Sequence, residues 1–116
     1  MPAQYPQGDL VYLKKTVELP DGKSLDHPIL IISSNSANSY ENSYTGVMMT
    51  SSSKIDRFSF EVDNLMFESP LDKSGCQLRL YIIVGFKESD IRIFKNRMKP
   101  TFLQAVLKQV RDSIFS

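Results

Sequence analysis

The residues best suited to chemistry in this sequence are its one histidine, His27, and a run of hydroxyl side chains that begins with Thr50 and Ser51. An imidazole has an ordinary pKa of about 6.5, so it can give or take a proton near neutral pH. A nearby hydroxyl can orient a phosphate or donate a hydrogen bond to its non-bridging oxygens. Together these groups can cleave RNA through its own 2′-OH, with no metal ion required.

Two predicted strands must position these groups. The aliphatic run from Pro28 to Ser33 and the run from Tyr44 to Ser51 are each typical of a strand. If they are antiparallel neighbours, the residue that enters the first lies beside the residue that leaves the second. We therefore expect His27 and Thr50 at the same rim of a sheet. A histidine before a proline is also an ordinary capping or surface residue, and a threonine commonly ends a strand, so spacing alone leaves their role open.

The remaining pattern predicts more strands and one helix. Further strand signals occur at 8–15, 58–62, 76–86 and 90–94, a turn is expected at Pro20–Lys23, and the polar stretch from Asn35 to Ser43 is predicted as a loop or frayed hairpin. A helix is predicted to begin near Pro100, with one apolar face formed by Leu103, Val106, Leu107, Val110 and Ile114. The predicted fold class is α+β and mainly β: a small, strongly curved antiparallel sheet or barrel with a C-terminal helix.

Composition limits the classes of protein. The 116 residues, 41% hydrophobic and 23% charged, are typical of one globular domain spanning residues 1–116. No apolar run approaches the ~20 residues needed to span a bilayer, and the first residues lack the pattern of a secretory signal. A single cysteine cannot form an internal disulfide, so we expect a cytoplasmic protein with no membrane partner. The net charge of +1 does not by itself indicate nucleic acid.

Other chemistries have weaker support. The sequence contains no standard phosphate loop, dinucleotide fingerprint, zinc spacing or nucleophile elbow, so we expect no metal ion and no cofactor. A nucleophilic pair of Cys76 and His27 is conceivable. However, Cys76 begins a predicted strand, where apolar packing is the commoner role of a cysteine.

Three segments, by their order and spacing, resemble the MazF/PemK family of toxin endoribonucleases: Gly8–Val11, His27–Ser33 and Gly46–Ser51. Members characteristically open with a Gly-Asp-apolar strand, continue with Arg-Pro, four aliphatic residues and Ser, and then have a strand that ends in Thr or Ser. The segment Gln77–Arg79 is similar to the family's Gln-Val-Lys/Arg strand, and the last helix stands in the expected place. The resemblance therefore covers nearly the whole chain.

The resemblance implies an SH3-like barrel of the CcdB/MazF type, paired as a homodimer whose interface forms an RNA groove. It implies the toxin of a type II toxin–antitoxin system, an mRNA interferase that cleaves single-stranded RNA at a short preferred sequence without a metal ion. The expected partners are single-stranded RNA and a small antitoxin, made from an adjacent gene, whose disordered tail fills the groove. Thr50 falls on the family's catalytic Thr/Ser position, with Ser51 beside it.

His27 stands where the family usually has a catalytic arginine. Arginine is always charged and can clamp a phosphate with two hydrogen bonds. Histidine lacks that clamp but is the better proton-transfer group near pH 7. Either His27 works as acid or base, or the nuclease activity has been lost or changed. We favour activity, with His27 handling a proton and Thr50 stabilising the charge of the phosphate.

Several other side chains are candidates for RNA contact. Gln77 and Arg79 share one face of a predicted strand and could reach phosphate or base edges, or simply be solvated polar positions. Four basic residues flank predicted strand and loop ends and could neutralise phosphate: Lys14, Lys15, Lys54 and Arg57. Tyr40 and Tyr44 could stack on splayed bases or pack on the barrel.

Two other functions stay open. A non-catalytic toxin of the same fold would inhibit a protein target such as a topoisomerase, as the related CcdB group does, and would leave RNA intact. An inactive barrel would keep antitoxin binding without arresting growth. A short, acidic, partly disordered product of the adjacent reading frame would favour either toxin over the inactive barrel.

Overall fold

The computed structural model describes residues 4–15, 17–18, 22, 24–52 and 54–115. In chain order, its strands and α-helices are β1 (Asp9–Leu13), β2 (Val17–Glu18), β3 (Ser24–Leu25), β4 (Ile29–Ile31), α1 (Asn35–Glu41), β5 (Ser43–Ser51), β6 (Ser59–Glu61), β7 (Cys76–Lys87), β8 (Ile91–Arg97) and α2 (Pro100–Ile114). Short 3₁₀ helices occupy Asn64–Met66 and Glu88–Asp90.

Six of the strands form one antiparallel sheet in the order β6-β7-β5-β4-β1-β8, while β2 and β3 pair with each other. The predicted α+β, mainly β class is confirmed. The predicted barrel is not closed, because β6 and β8 are the two edges of the sheet that the structure describes. The segment after the first 3₁₀ helix meets the end of β8, where Phe67 bridges to Met98 and the amide of Glu68 donates to the carbonyl of Arg97 at 2.9 Å.

The predicted strands are all present. All three residues of β4 are fully buried, as expected for a continuous aliphatic run covered on both faces. The last strand, β8, runs three residues further than the predicted segment 90–94. Of the turn predicted at Pro20–Lys23, all residues except Gly22 lie outside the described residues.

The stretch predicted as a loop or frayed hairpin is instead helix α1, so that prediction is wrong. Its polar residues supply both ends of the helix. The Ser34 hydroxyl accepts a hydrogen bond from the amide of Ala37 at 3.2 Å, and Asn42 ends the helix in the left-handed conformation with φ of 52°. Within the helix, Asn38 is fully buried and donates to the carbonyl of Ser33 at 3.1 Å.

Helix α2 covers one face of the sheet, and its predicted apolar face is confirmed as core. Leu103, Val106 and Val110 are buried in the cluster that contains Leu30 and Leu78, and Leu107 and Ile114 pack against that cluster. Each fully buried aliphatic side chain contributes roughly 1.5–3 kcal/mol relative to exposure, so this face holds the helix in place. None of the described helices is both long and apolar enough to cross a membrane.

The pairing of β4 with β5 requires a glycine at position 46. Gly46 pairs with Ile31, and a Cβ at Gly46 would lie 2.3 Å from Cγ2 of Ile29 and 2.7 Å from the carbonyl oxygen of Leu30. The second contact is with backbone, which cannot move away without disturbing the strand. The close approach therefore permits only this residue at this register.

Gly46→Ala should destabilise the protein by about 2 kcal/mol, because the added methyl group forces the two central strands apart. The matched control is Gly85→Ala in β7, where an added Cβ meets nothing within 4 Å. That control should be neutral or stabilising by about 0.5–1 kcal/mol. Urea unfolding measures both, and equal midpoints for the two variants would contradict the account of the β4–β5 contact.

Candidate active site

His27 and Thr50 line one pocket at the rim of the sheet, where β4 begins and β5 ends. Just inside the rim, the amide of Met49 donates to the carbonyl of Pro28 at 2.9 Å and so holds the two strand ends together. The predicted placement at one rim is confirmed. We call this the His27 pocket; its other lining residues include Tyr12, Ser51, Asp72, Lys73, Cys76 and Lys95.

The His27 pocket has a volume of about 170 Å³. On this measure about 10–15 Å³ is enough for one water molecule, so the pocket has room for several. Five parts of the chain form its walls: β1, the segment before β4, the end of β5, the loop before β7 with the first residue of that strand, and β8. A phosphate group fits a space of this size.

His27 is half-buried, and its Nε2 atom is shielded from solvent with no hydrogen-bond partner in the part of the chain that the structure describes. Burial lowers the pKa of His27 below 6.5, while Asp26 acts to raise the pKa and Lys73 to lower it. The imidazole is therefore mainly neutral at pH 7. A buried polar atom without a partner costs about 1–3 kcal/mol.

Thr50 and Ser51 are the last two residues of β5 and differ in exposure. Thr50 is half-buried and pairs with Gln77, whereas Ser51 is exposed and pairs with Cys76. Both line the His27 pocket, and Ser51 also lines an adjoining hollow that contains Glu61 and Ile55. Two hydroxyl groups are thus available beside a neutral imidazole, one of them at the junction of two depressions.

Both carboxylates that line the His27 pocket in the described structure form ion pairs. Asp26 is 3.1 Å from Nη2 of Arg92, and that guanidinium lies over the ring of Tyr12 at 5.1 Å from its centroid. Asp72 forms an ion pair with Lys95. Arg92 and Lys95 belong to β8, and Asp72 belongs to the loop before β7, far along the chain from His27. No local pattern in the sequence marks these three residues, so they were not predicted.

Gln77 and Arg79 are buried, with 1% and 5% of their surface exposed. Arg79 makes a bidentate ion pair with Asp56, with both distances at 3.2 Å, and also donates to Ser59 at 2.7 Å and to Gln77 at 3.0 Å. The alternative that Gln77 and Arg79 are solvated polar positions is therefore wrong, while their contact with RNA stays a prediction. The alternation of polar and apolar residues in β7 did not indicate that Arg79 would pair with Asp56.

The Arg79 network instead holds the segment that follows Thr50 and Ser51. Nε2 of Gln77 donates to the carbonyls of Ser52 at 3.0 Å and Lys54 at 2.7 Å. The hydrogen bond from Arg79 lowers the pKa of Asp56, so the pair stays charged well into the acid range. Buried, charge-assisted bonds of this kind fix the path of the chain as it leaves the pocket.

The four basic residues predicted to neutralise phosphate are exposed and do not line the His27 pocket. Lys14 and Lys15 follow β1, and Lys54 and Arg57 lie between β5 and β6, where Arg57 stacks over Phe58 at 4.7 Å. Their contact with RNA stays a prediction.

The two tyrosines differ. Tyr44 is buried against Phe86, with ring centroids 5.5 Å apart, and its hydroxyl donates to Glu88 at 2.6 Å. Burial and that bond raise the pKa of Tyr44 to about 12. Of the two alternatives expected for Tyr44, stacking on bases or packing on the barrel, the structure shows packing. Tyr40 is 86% exposed on α1.

Cys76 lines the His27 pocket but belongs to the main hydrophobic cluster, and its thiol donates to the carbonyl of Lys73 at 3.5 Å. This is the packing role expected of it. No group of three or more His, Cys, Asp or Glu side chains suited to a metal ion occurs among the described residues.

Comparison with solved structures places the fold among MazF toxins. MazF from Deinococcus radiodurans superposes with a TM-score of 0.69 at 16% identity, over 93% of this chain and 94% of that one. An endoribonuclease from a mycobacterial species, in complex with its cognate antitoxin, matches with a TM-score of 0.69 at 13% identity, over 95% and 94%. The Mycobacterium tuberculosis toxin MazF-mt6 gives 0.62 at 10%, over 88% and 93%.

At these identities the likeness defines the fold: the chain has the fold of the MazF toxins, over nearly its whole described length. A scan against protein-family models found no match, and a search of curated proteins found none either. Shared geometry with little shared sequence explains why the resemblance rests on short segments in the right order.

The pKa of His27 should be below 6.5 when measured by NMR, because burial disfavours the imidazolium. The chain has one histidine, so a single set of imidazole signals reports it. Asp26→Asn removes the neighbouring negative charge and should lower the pKa further, while Asp112→Asn, outside the pocket, should leave it unchanged. A value above 6.5, or one unmoved by Asp26→Asn, would contradict the described environment.

Proposed function

We propose that this chain is a MazF-type toxin, an endoribonuclease that cleaves single-stranded RNA without a metal ion. The observation that carries the proposal is the His27 pocket, in which a neutral imidazole with an unpartnered Nε2 lies beside the hydroxyls of Thr50 and Ser51. The shared fold of MazF toxins supports it. In this proposal the single domain acts in the cytoplasm.

The proposed reaction uses the RNA's own 2′-OH as nucleophile. The 2′-oxygen forms a bond to the adjacent phosphorus, and the bond from phosphorus to the 5′-oxygen breaks. Neutral His27 accepts the proton of the 2′-OH, and the imidazolium so formed returns that proton to the departing 5′-oxygen. The products are a 2′,3′-cyclic phosphate and a free 5′-OH. Proton transfer by a positioned group typically contributes about 10²–10⁴-fold to the rate.

Thr50 is assigned to the phosphate. Its hydroxyl can donate to a non-bridging oxygen, where negative charge increases as the 2′-oxygen attacks. Ser51 offers a second donor at the same strand end. The Arg79 network supports both indirectly, because it holds the backbone of residues 52 and 54 that follows them.

The proposed partners follow from the same assignment. Two of the matching structures are toxins bound to an antitoxin, one a mycobacterial endoribonuclease and one MazF from Deinococcus radiodurans. For this chain we propose an antitoxin whose tail covers the RNA-binding surface, and a homodimer that forms that surface. Selection of a short RNA sequence belongs to the proposal as well.

His27→Ala should lower the rate of RNA cleavage by about 10²–10⁴-fold, and Thr50→Ala by about 10²-fold, because each removes a group that acts in the transition state. The test incubates a long single-stranded RNA with each protein in excess chelator and identifies the ends produced. Thr45→Ala is the matched control, since Thr45 is an exposed residue of the same strand outside the pocket.

Cyclic phosphate ends from the wild type and from Thr45→Ala, with intact RNA from the other two variants, are the expected result. An undiminished rate in His27→Ala would rule out the assigned role of the imidazole. Intact RNA with the wild type, over a range of RNAs and pH, would overturn the endoribonuclease proposal and direct attention to a protein target.

A further inference from the structure

The His27 pocket contains one positive charge that no carboxylate cancels. Lys95 is paired with Asp72, and Asp26 is paired with Arg92. Lys73 lines the same pocket, is exposed, and has no carboxylate partner within the ranges that the structure describes. The pairing of its neighbours leaves Lys73 as the uncompensated cation at this site.

The backbone around Lys73 is held at two points. On one side, the amide of Leu71 donates to Oδ1 of Asn64 at 2.9 Å. On the other, the carbonyl of Lys73 accepts from the Cys76 thiol at 3.5 Å, and Gly75 turns the chain into β7 with φ of 71°. Only glycine adopts that φ readily, so the turn is tight. The ammonium is thus carried on a short, anchored loop at the wall of the pocket.

Attack by a 2′-oxygen on a phosphodiester needs positive charge at the phosphate. The phosphodiester starts with one negative charge, and more builds on its oxygens in the transition state. Until the proton is transferred, neither a neutral imidazole nor the Thr50 hydroxyl supplies a compensating charge. A cation carried on an anchored loop at the wall of the pocket supplies what those groups lack.

We propose that Lys73 is the phosphate-binding cation of the His27 pocket and stabilises the phosphate at which the RNA is cleaved. The inference rests on the proposed function and adds a residue to it. It also explains why Asp26 and Asp72, which would repel a phosphate, are both engaged by cations. Lys73 also acts to lower the pKa of His27, which places its charge within electrostatic reach of the imidazole.

Lys73→Ala should lower the single-turnover rate of cleavage by about 10²-fold, because it removes one charge that acts on the transition state. Lys73→Arg keeps the charge and should stay within about tenfold of the wild type. The matched control is Lys99→Ala, which removes an exposed lysine at the start of α2, outside the pocket. Lys73→Ala should also make the dependence of log kcat/KM on log salt concentration shallower by about 0.7.

Equal rates for Lys73→Ala and Lys99→Ala, with a wild type that cleaves, would overturn the inference and leave the proposed function in place. When the wild type does not cleave, a second measurement distinguishes failure of the Lys73 inference from failure of the proposed function. Binding of a mixed-sequence 2′-O-methyl RNA, which has no free 2′-OH, is followed by fluorescence anisotropy. Weaker binding by Lys73→Ala than by Lys99→Ala supports the phosphate site even if the nuclease proposal has failed. Equal binding by Lys73→Ala and Lys99→Ala, or no binding by the wild type, overturns the proposal that Lys73 binds phosphate.

Discussion

Leu30 pairs with Val47 across β4 and β5, and the whole site depends on that register. A slip of one residue would turn the aliphatic side chains of β4 to the opposite faces of the sheet and move His27 away from Thr50. Two features prevent the slip: the complete burial of β4, and the close approach of Gly46 to the Leu30 carbonyl. Packing in the centre of the sheet therefore sets the geometry of chemistry at its rim.

Electrostatics around the pocket follow a consistent arrangement. Each acidic side chain that lines the pocket in the described structure forms an ion pair with a basic one from β8. Burial lowers the pKa of His27, and Lys73, which forms no ion pair within the described residues, is exposed at the same pocket. In the proposed site, the charge and the hydrogen bonding to phosphate that one arginine can combine are divided between a histidine and a lysine from different parts of the chain.

Sequence patterns predicted the parts of this fold that depend on local periodicity. Alternation and aliphatic runs located the strands, and spacings of three and four located the buried face of α2. The position of His27 beside Thr50 followed from antiparallel pairing alone. Helix α1 was missed because the Ser34 and Asn42 that cap it are also residues typical of loops. Arg79 was misplaced because burial of its charge depends on Asp56, which lies on a separate loop. Apart from Asp26, the charged side chains around His27 come from distant segments, so no local pattern in the sequence indicated them.

If neutral His27 accepts the proton of the 2′-OH, the rate of single-turnover RNA cleavage must depend on pH through the pKa of His27. We expect the rate to rise with pH through an inflection at the pKa that NMR gives for His27. In Asp26→Asn, that inflection should move to lower pH as the pKa falls. A cleavage rate with no inflection, or an inflection that stays in place when the pKa of His27 moves, would contradict this role of His27.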